Sequence, residues 1–142
     1  MDIAEVYKQF PTDKDCIAHL EHLRWKGKPQ CPYCQSDRLT PMAAEMRHHC
    51  NSCKTSFSVT VGTIFHRSHL PLQKWFLAIA LILNGKEKLS NRQLGGVLQV
   101  TKDTARSMHM RVRNAAIEQS ELFNGIVRNM YRTSIIDQGA GL

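Results

Sequence analysis

The sequence lacks the features of a membrane, secreted or catalytic protein. No apolar run reaches the length of about 18 residues that a membrane-spanning helix needs. The first residues, Met1–Glu5, contain no basic stretch followed by an apolar one, so no secretory signal is predicted there. Paired carboxylates at catalytic spacing, a glycine-rich phosphate loop and a Ser-His-Asp order are also missing. We therefore expect a cytoplasmic protein that is not an enzyme.

Positive charge is concentrated in the middle of the chain. The formal net charge is +7 over 142 residues. Residues 54–115 contain ten Lys and Arg against two acidic residues, Glu87 and Asp103, whereas the rest of the chain is close to neutral. An excess confined to one stretch is typical of a surface that binds a polyanion, and an ordinary solvated basic surface is the alternative.

Four of the five cysteines form two close pairs. Cys31 and Cys34 are followed after 15 residues by Cys50 and Cys53, which gives the pattern C-x2-C-x15-C-x2-C. In a chain without an export signal, such pairs favour a metal over disulfides. Four thiolates complete the tetrahedral shell of Zn²⁺ and leave no open position for water or substrate. The pattern therefore predicts one structural zinc ion.

Three side chains near this pattern are expected not to bind the metal. Cys16 lies on the apolar side of a predicted helix over residues 12–25, so we expect it in a core. His48 and His49 stand beside the second cysteine pair. Because four cysteines already complete the site, we expect both histidines to be exposed ring donors on a strand, with a ligand role as the alternative.

The remaining secondary structure is predicted to be mainly helical. Thr12 and Asp15 form a capping pattern at the start of the first helix. Apolar residues alternate with polar ones over 57–61, which predicts a half-buried strand. Pro71 opens a helix that ends near Asn84-Gly85 and is apolar on nearly all sides. That helix is expected to be the central core helix or part of a dimer contact.

Residues 90–113 predict two helices joined by a tight turn. Ser90 and Thr101 occupy the N-cap positions of the two helices. Gly95 allows a close approach at the corner, although Gln99 stands where a glycine is usual in the turn. The facing apolar positions are Leu94, Leu98, Val100, Ala105, Met108 and Val112. This skeleton is typical of a DNA-binding helix-turn-helix, with an ordinary helical hairpin as the alternative.

The second of these helices would present its start and its outer face to DNA. The predicted DNA-binding residues are Arg92, Thr101, Lys102, Asp103, Arg106, Ser107, Met110, Arg111 and Arg113. Arg106 is the predicted base contact, because a guanidinium group can bridge O6 and N7 of guanine. Arg92, Arg111 and Arg113 are expected to contact phosphates, which sets the register without reading the sequence.

Seven ordered segments within residues 5–115 carry a family resemblance. They are Leu23-Arg24-Trp25, Cys31-Pro32-Tyr33-Cys34, His49-Cys50-Asn51-Ser52-Cys53, Phe57-Ser58-Val59-Thr60, Gly62-Thr63-Ile64-Phe65, Pro71-Leu72-Gln73-Lys74-Trp75 and Leu89-Ser90-Asn91-Arg92-Gln93-Leu94. This set resembles the N-terminal region of ISXO-like bacterial insertion-sequence transposases. In that family the region is a zinc ribbon with a helix-turn-helix that recognises the terminal inverted repeats of the element. The resemblance implies zinc on the four paired cysteines and DNA contact by the helix from Thr101 to Arg113.

The C-terminal tail departs from that family. There, a ribonuclease-H-like domain with a DDE acidic triad follows and cuts and joins DNA. Residues 116–142 contain three acidic residues and cannot build such a domain, so no strand transfer is expected from this chain. The apolar residues of the tail predict an amphipathic helix, interrupted or weakened at Asn124-Gly125. That helix is a candidate contact for a homodimer.

These observations predict a mainly α fold with a small β zinc ribbon. The expected order is an N-terminal helix, the four-Cys zinc ribbon, a helical helix-turn-helix domain and a C-terminal helix, with domains at 1–62 and 63–142. The predicted function is sequence-specific binding of double-stranded DNA, at transposon ends or at a promoter. The alternatives are an adaptor or transcription regulator that recruits a protein through the ribbon or the C-terminal helix, and a subunit that lends DNA binding to a catalytic partner.

Overall fold

The computed structural model describes residues 2–85 and 88–139, which form six α-helices and one small antiparallel sheet. The elements are α1 (Ile3–Gln9), α2 (Asp13–Trp25), β1 (Leu39–Met42), a single 3-10 turn (Ala43–Glu45), β2 (Arg47–Cys50), β3 (Ser56–Phe57), α3 (Leu72–Asn84), α4 (Asn91–Leu98), α5 (Lys102–Ala115) and α6 (Ser120–Gly139). The predicted fold class, mainly α with a small β part, is confirmed. None of the helices in this part of the chain is long and apolar enough to cross a membrane.

The first two helices begin at reciprocal side-chain caps. The Thr12 hydroxyl accepts a hydrogen bond from the Asp15 N–H, and the Asp15 carboxylate accepts one from the Thr12 N–H, as predicted for α2. Asp2 and Glu5 form the same arrangement at α1. Helix α1 is not among the predicted elements, although this capping pattern could have identified it.

Helix α3 lies at the centre of the molecule. Its buried residues are Leu72, Gln73, Trp75, Phe76, Leu77, Ala78, Ile79 and Ala80. Each of the five other helices packs against α3, which confirms the prediction of a central core helix. Cys16 lies in this core and is fully buried, as expected, and its burial raises the pKa of the thiol to about 12. Helices α1 and α2 share this core with α3 to α6. The domain boundary predicted after residue 62 stays a prediction.

The three strands form a sheet in the order β1-β2-β3. Leu39 pairs with Cys50, and His48 pairs with Phe57. A second, much smaller core lies here, made of Cys31, Cys50 and Phe57, with Trp25 of α2 packed against it. So few apolar residues cannot hold the sheet by themselves, which points to the cysteines as its main support.

The predicted strand over residues 57–61 is wrong, because β3 ends at Phe57 and turns follow it. The Arg24 guanidinium donates hydrogen bonds to the carbonyl oxygens of Val59, at 2.6 Å, and of Val61. Those carbonyl groups are therefore paired with α2 instead of with a neighbouring strand. The alternating pattern has another origin: Phe57 belongs to the small core of the sheet, and Val59 belongs to the core of the helices.

Helix α6 passes through Asn124-Gly125 without the predicted interruption. A Cβ atom on Gly125 would lie 2.7 Å from Cδ2 of Leu23, so the missing side chain lets α6 approach α2 closely. The apolar residues that face the core are Phe123, Ile126, Val127 and Met130. This part of the amphipathic face is thus covered within the chain, and the homodimer stays a prediction.

Helices α4 and α5 meet at a three-residue turn, as predicted. Gln99 takes the left-handed conformation with φ of 59°, and the Val100 N–H donates to the Gly95 carbonyl at 2.9 Å. Lys74 of α3 donates to the Gln99 carbonyl at 3.0 Å and so supports this residue in place of the usual glycine. The Thr101 hydroxyl then accepts from the backbone of the first turn of α5.

The two adjacent glycines of α4 should respond to alanine with opposite signs. A Cβ on Gly95 would lie 2.9 Å from the Val100 carbonyl oxygen, whereas one on Gly96 meets nothing within 4 Å. We expect Gly95→Ala to lower the free energy of unfolding by about 1–3 kcal/mol, because backbone atoms must move. Gly96→Ala should raise it by about 0.5–1 kcal/mol through helix propensity. Equilibrium urea denaturation measures both, and equal effects would contradict the close approach.

Candidate metal centre and nucleic-acid interface

The four paired cysteines converge in the structure. Their sulfur atoms all lie within 4.8 Å of one another, with Cys31 Sγ 3.7 Å from Cys53 Sγ and Cys34 Sγ 3.5 Å from Cys50 Sγ. Tetrahedral zinc with bonds of about 2.3 Å places its sulfur ligands about 3.8 Å apart. The sulfur positions therefore match one tetrahedral Zn²⁺ ion, and all four ligands are supplied by the protein.

The two cysteine pairs stand on equivalent turns. The Gln35 N–H donates to the Cys31 carbonyl at 2.8 Å, and the Lys54 N–H donates to the Cys50 carbonyl at 2.9 Å. Gln35 and Lys54 both have left-handed backbones, which turn the chain back after each pair. The Cys53 N–H points at Cys50 Sγ, at 3.5 Å. This donor, together with the Ser52 N–H and the neighbouring thiols, lowers the pKa of the Cys50 thiol to about 6. The backbone N–H donors of the turns thus favour the thiolate form that a metal requires, although the three neighbouring thiols raise the pKa of Cys34 to about 12.

His48 connects the sheet to α2, which corrects the prediction that it is an exposed ring donor. Its Nε2 lies 3.0 Å from Oε2 of Glu21, and its side chain is 14% exposed. The ring stacks on Phe57 and meets Trp25 edge to face at 5.2 Å. Among the described residues the metal-binding group consists of the four cysteines, so neither His48 nor His49 joins it. The burial of His48 follows from the packing of Trp25 onto the sheet.

All nine predicted DNA-binding residues are exposed. A shallow groove of about 480 Å³ on the outer face of α5 is lined by Asp103, Arg106, Ser107, Met110, Arg111 and Asn114. Arg113 lines a different cleft, between α3, α4 and α5, while Arg92 and Thr101 lie at the starts of the two helices. The structure thus groups five of the nine residues and leaves the others at the edges of this face.

Asn114 is a groove residue that the sequence did not single out. It is exposed and stands four positions after Met110, which itself stands four positions after Arg106. Residues four positions apart lie one above the other on a helix, so this spacing could have identified it. Within the part of the chain that the structure describes, the side chains of Arg106, Arg111 and Asn114 make no hydrogen bond or ion pair. They are free to bind a partner.

Arg113 is held in place by a neighbouring histidine. Its Nε–H donates to Nε2 of His109 at 3.1 Å, and Nδ1 of His109 lies 3.4 Å from Oδ1 of Asn91 at the start of α4. Because an arginine N–H can only donate, Nε2 accepts and the imidazole proton sits on Nδ1. Burial lowers the pKa of His109, and the positive charge of Arg113 lowers it further. The ring is therefore neutral near pH 7 and fixes the direction of the guanidinium group.

Comparison with known proteins agrees with this geometry. Residues 11–56 match the family model of the transposase zinc-ribbon domain, which confirms the predicted resemblance. Together with the sulfur positions, the match establishes a structural zinc site on Cys31, Cys34, Cys50 and Cys53. Residues 11–56 are thus similar to the zinc-ribbon domain of transposases.

One curated relative comes from a transposable element. It is called an uncharacterized protein in transposable element ISH50 of Halobacterium salinarum, and it is 29% identical over 100 residues. The alignment covers 68% of this chain and 33% of the relative, so the chain spans about a third of the length of that protein. No solved structure matches the chain.

Loss of one ligand should abolish zinc binding, whereas loss of the fifth thiol should not. We expect Cys50→Ser to lose the metal and residues 26–62 to unfold, because metal binding supplies the folding free energy of such small modules. Cys16→Ala is the matched control, since Cys16 is buried among the helices. Elemental analysis should give one zinc per chain for the wild type and the control. Dispersed NMR signals from residues 26–62 after chelation would contradict a structural role.

Acid should weaken the contact between α4 and α5 through His109. The folded-state pKa of His109 lies below the ordinary value of 6.5, so the unfolded chain binds more protons as the pH falls through this range. The contribution of His109 to stability is therefore present above about pH 6.5 and is lost on acidification. A glutamine amide can donate and accept without titrating, so His109→Gln should lose less stability between pH 7 and pH 5. Urea denaturation measures the free energy of unfolding at both pH values. An equal loss in the wild type and in His109→Gln would contradict this role of His109.

Proposed function

We propose that this chain binds double-stranded DNA in a sequence-specific manner, with α4 and α5 as a helix-turn-helix. The observation that supports the proposal is the unpaired positive charge on the outer face of α5, opposite the stripe that α3 and α4 bury. The buried residues of α5 are Ala105, Met108, Val112 and Ala115. The exposed basic residues of α5 are Lys102, Arg106, Arg111 and Arg113, with Asp103 as the one acid.

The dimensions of α5 suit a major groove. A helix of 14 residues is about 21 Å long, and its diameter of about 10–12 Å matches a groove about 12 Å wide. In this position Arg106 contacts a guanine edge, and Arg92, Arg111 and Arg113 contact phosphates on either side. The Thr101 hydroxyl and the first N–H groups of α5 meet another phosphate.

We assign this reading role to residues 63–142 and a supporting role to residues 1–62. The zinc site shapes the sheet, and Trp25, Arg24 and His48 join the sheet to the helices. The transposase zinc-ribbon match favours the ends of a mobile element as the target, with a promoter as the second choice. The proposal concerns recognition alone, and no strand-transfer step is assigned to these residues.

Salt should weaken duplex binding steeply. Each neutralised phosphate contributes about −0.9 to the slope of log affinity against log salt concentration, so three or four contacts give a slope of about −2.7 to −3.6. The duplex is first selected from a random pool, and affinity is then measured by fluorescence anisotropy at several salt concentrations. A metal-loaded protein that binds no duplex at low salt would refute the proposal and favour an adaptor that recruits a protein partner.

Three alanine variants separate base reading from charge. Arg106→Ala should cost about 1–3 kcal/mol on the selected site and little on unrelated DNA, because a guanine contact is lost. Arg111→Ala should weaken binding to all duplexes alike and reduce the salt slope by about 1. Lys8→Ala removes a positive charge from an exposed position on α1 and should change neither property. An equal loss for Arg106→Ala on every duplex would reduce Arg106 to a phosphate contact.

A further inference from the structure

Met110 occupies the outermost position of α5. Residues advance by about 100° around a helix, so Met110 lies about 180° from the middle of the buried stripe. Its side chain is 55% exposed. The other residues around the groove are polar or charged, with Arg106 and Asn114 one turn before and one turn after Met110. A large apolar side chain thus stands alone at the centre of a polar, positively charged face.

Core packing gives no reason for an apolar residue at this position. Met108 already fills the inner side of α5 and is buried, so the exposed Met110 adds nothing to the interior. Leaving a thioether chain in water is unfavourable by about 25 cal/mol for each Å² of apolar surface. A partner that covers Met110 would recover this free energy, and the free cations around it indicate that the partner is a polyanion.

The major groove of DNA offers one apolar group at the edges of its bases, the C5-methyl group of thymine. A flexible thioether side chain can adapt its shape to such a group. Asn114 carries an amide, which can donate to N7 and accept from N6 of adenine. Steps of four residues along α5 correspond to about 6 Å, or roughly two base pairs of about 3.4 Å each.

We propose that Met110 contacts a thymine methyl group and that Asn114 reads an adenine further along the same groove. Together with Arg106, they form an outward row that reads guanine, thymine and adenine at intervals of about two base pairs. This inference rests on the proposed function, since it requires α5 to lie in the major groove. The inference goes beyond the proposed function because it assigns a base type to Met110 and another to Asn114.

Base analogues test each contact by removing one group from the DNA. In the selected duplex, each thymine is replaced in turn by deoxyuridine, which lacks only the methyl group. One replacement should lower the affinity of the wild type about fourfold, as for the loss of one buried methyl group. Met110→Ala should bind the thymine duplex about as weakly as the wild type binds the deoxyuridine duplex. This variant should not distinguish thymine from deoxyuridine at that position. For Asn114, 7-deazaadenine removes N7, and Asn114→Ala should abolish the resulting discrimination.

Ile117→Ala is the matched control for the loss of an exposed apolar side chain. Ile117 is 89% exposed and lies beyond the end of α5, so this variant should still distinguish the two bases. Salt-dependent binding of a selected duplex in which every thymine tolerates deoxyuridine would overturn this inference and leave the proposed function intact. A variant Met110→Ala that keeps the discrimination, or that changes only self-association, would also overturn it. Absence of any duplex binding would overturn both proposals.

Discussion

The fold depends on the burial of α3, a helix that is apolar on nearly all sides. Such a helix is stable in water only when other elements cover it, and the five other helices of the described structure pack against α3 and bury most of its residues. Complete burial of side chains such as Trp75, Phe76 and Ile79 contributes about 1.5–3 kcal/mol each. Helix α5 turns its small and apolar residues toward this core, and its polar residues face outward as a consequence. The orientation of the candidate DNA-binding face therefore follows from the burial of α3 by α5.

The sheet is held in a different way. Its core contains Cys31, Cys50 and Phe57, which is too little apolar surface to offset the ordering of about 30 residues. Zinc bound by four thiolates supplies the missing free energy and leaves the metal no position for catalysis. Side chains from α2 then connect this unit to the helices, through the Arg24 guanidinium, the Trp25 ring and the Glu21 carboxylate. The metal thus stabilises the surface on which α2 packs.

Stability and the proposed DNA recognition depend on different residues of α5. The buried residues of α5 pack against the core. Arg106, Met110 and Asn114 are exposed, so substitutions at these positions leave the core intact. Arg113 is an exception, because its guanidinium group is tied to His109 and through it to α4. In the proposed complex with DNA, a side chain held in this way loses less conformational freedom on binding, which favours a defined register on the phosphate backbone.

The sequence alone determined the features that depend on residues close together in the chain. Helix caps at Thr12 and Ser90, the cysteine pairs and the small residue at Gly95 act within a few positions, so their spacing predicts them. Only the tertiary structure decided the end of β3 and the burial of His48. Arg24 meets Val59 across 35 positions, and Glu21 meets His48 across 27, so no local pattern records these contacts. Such pairs form only when the packed helices bring distant segments together, and that packing depends on the whole chain at once.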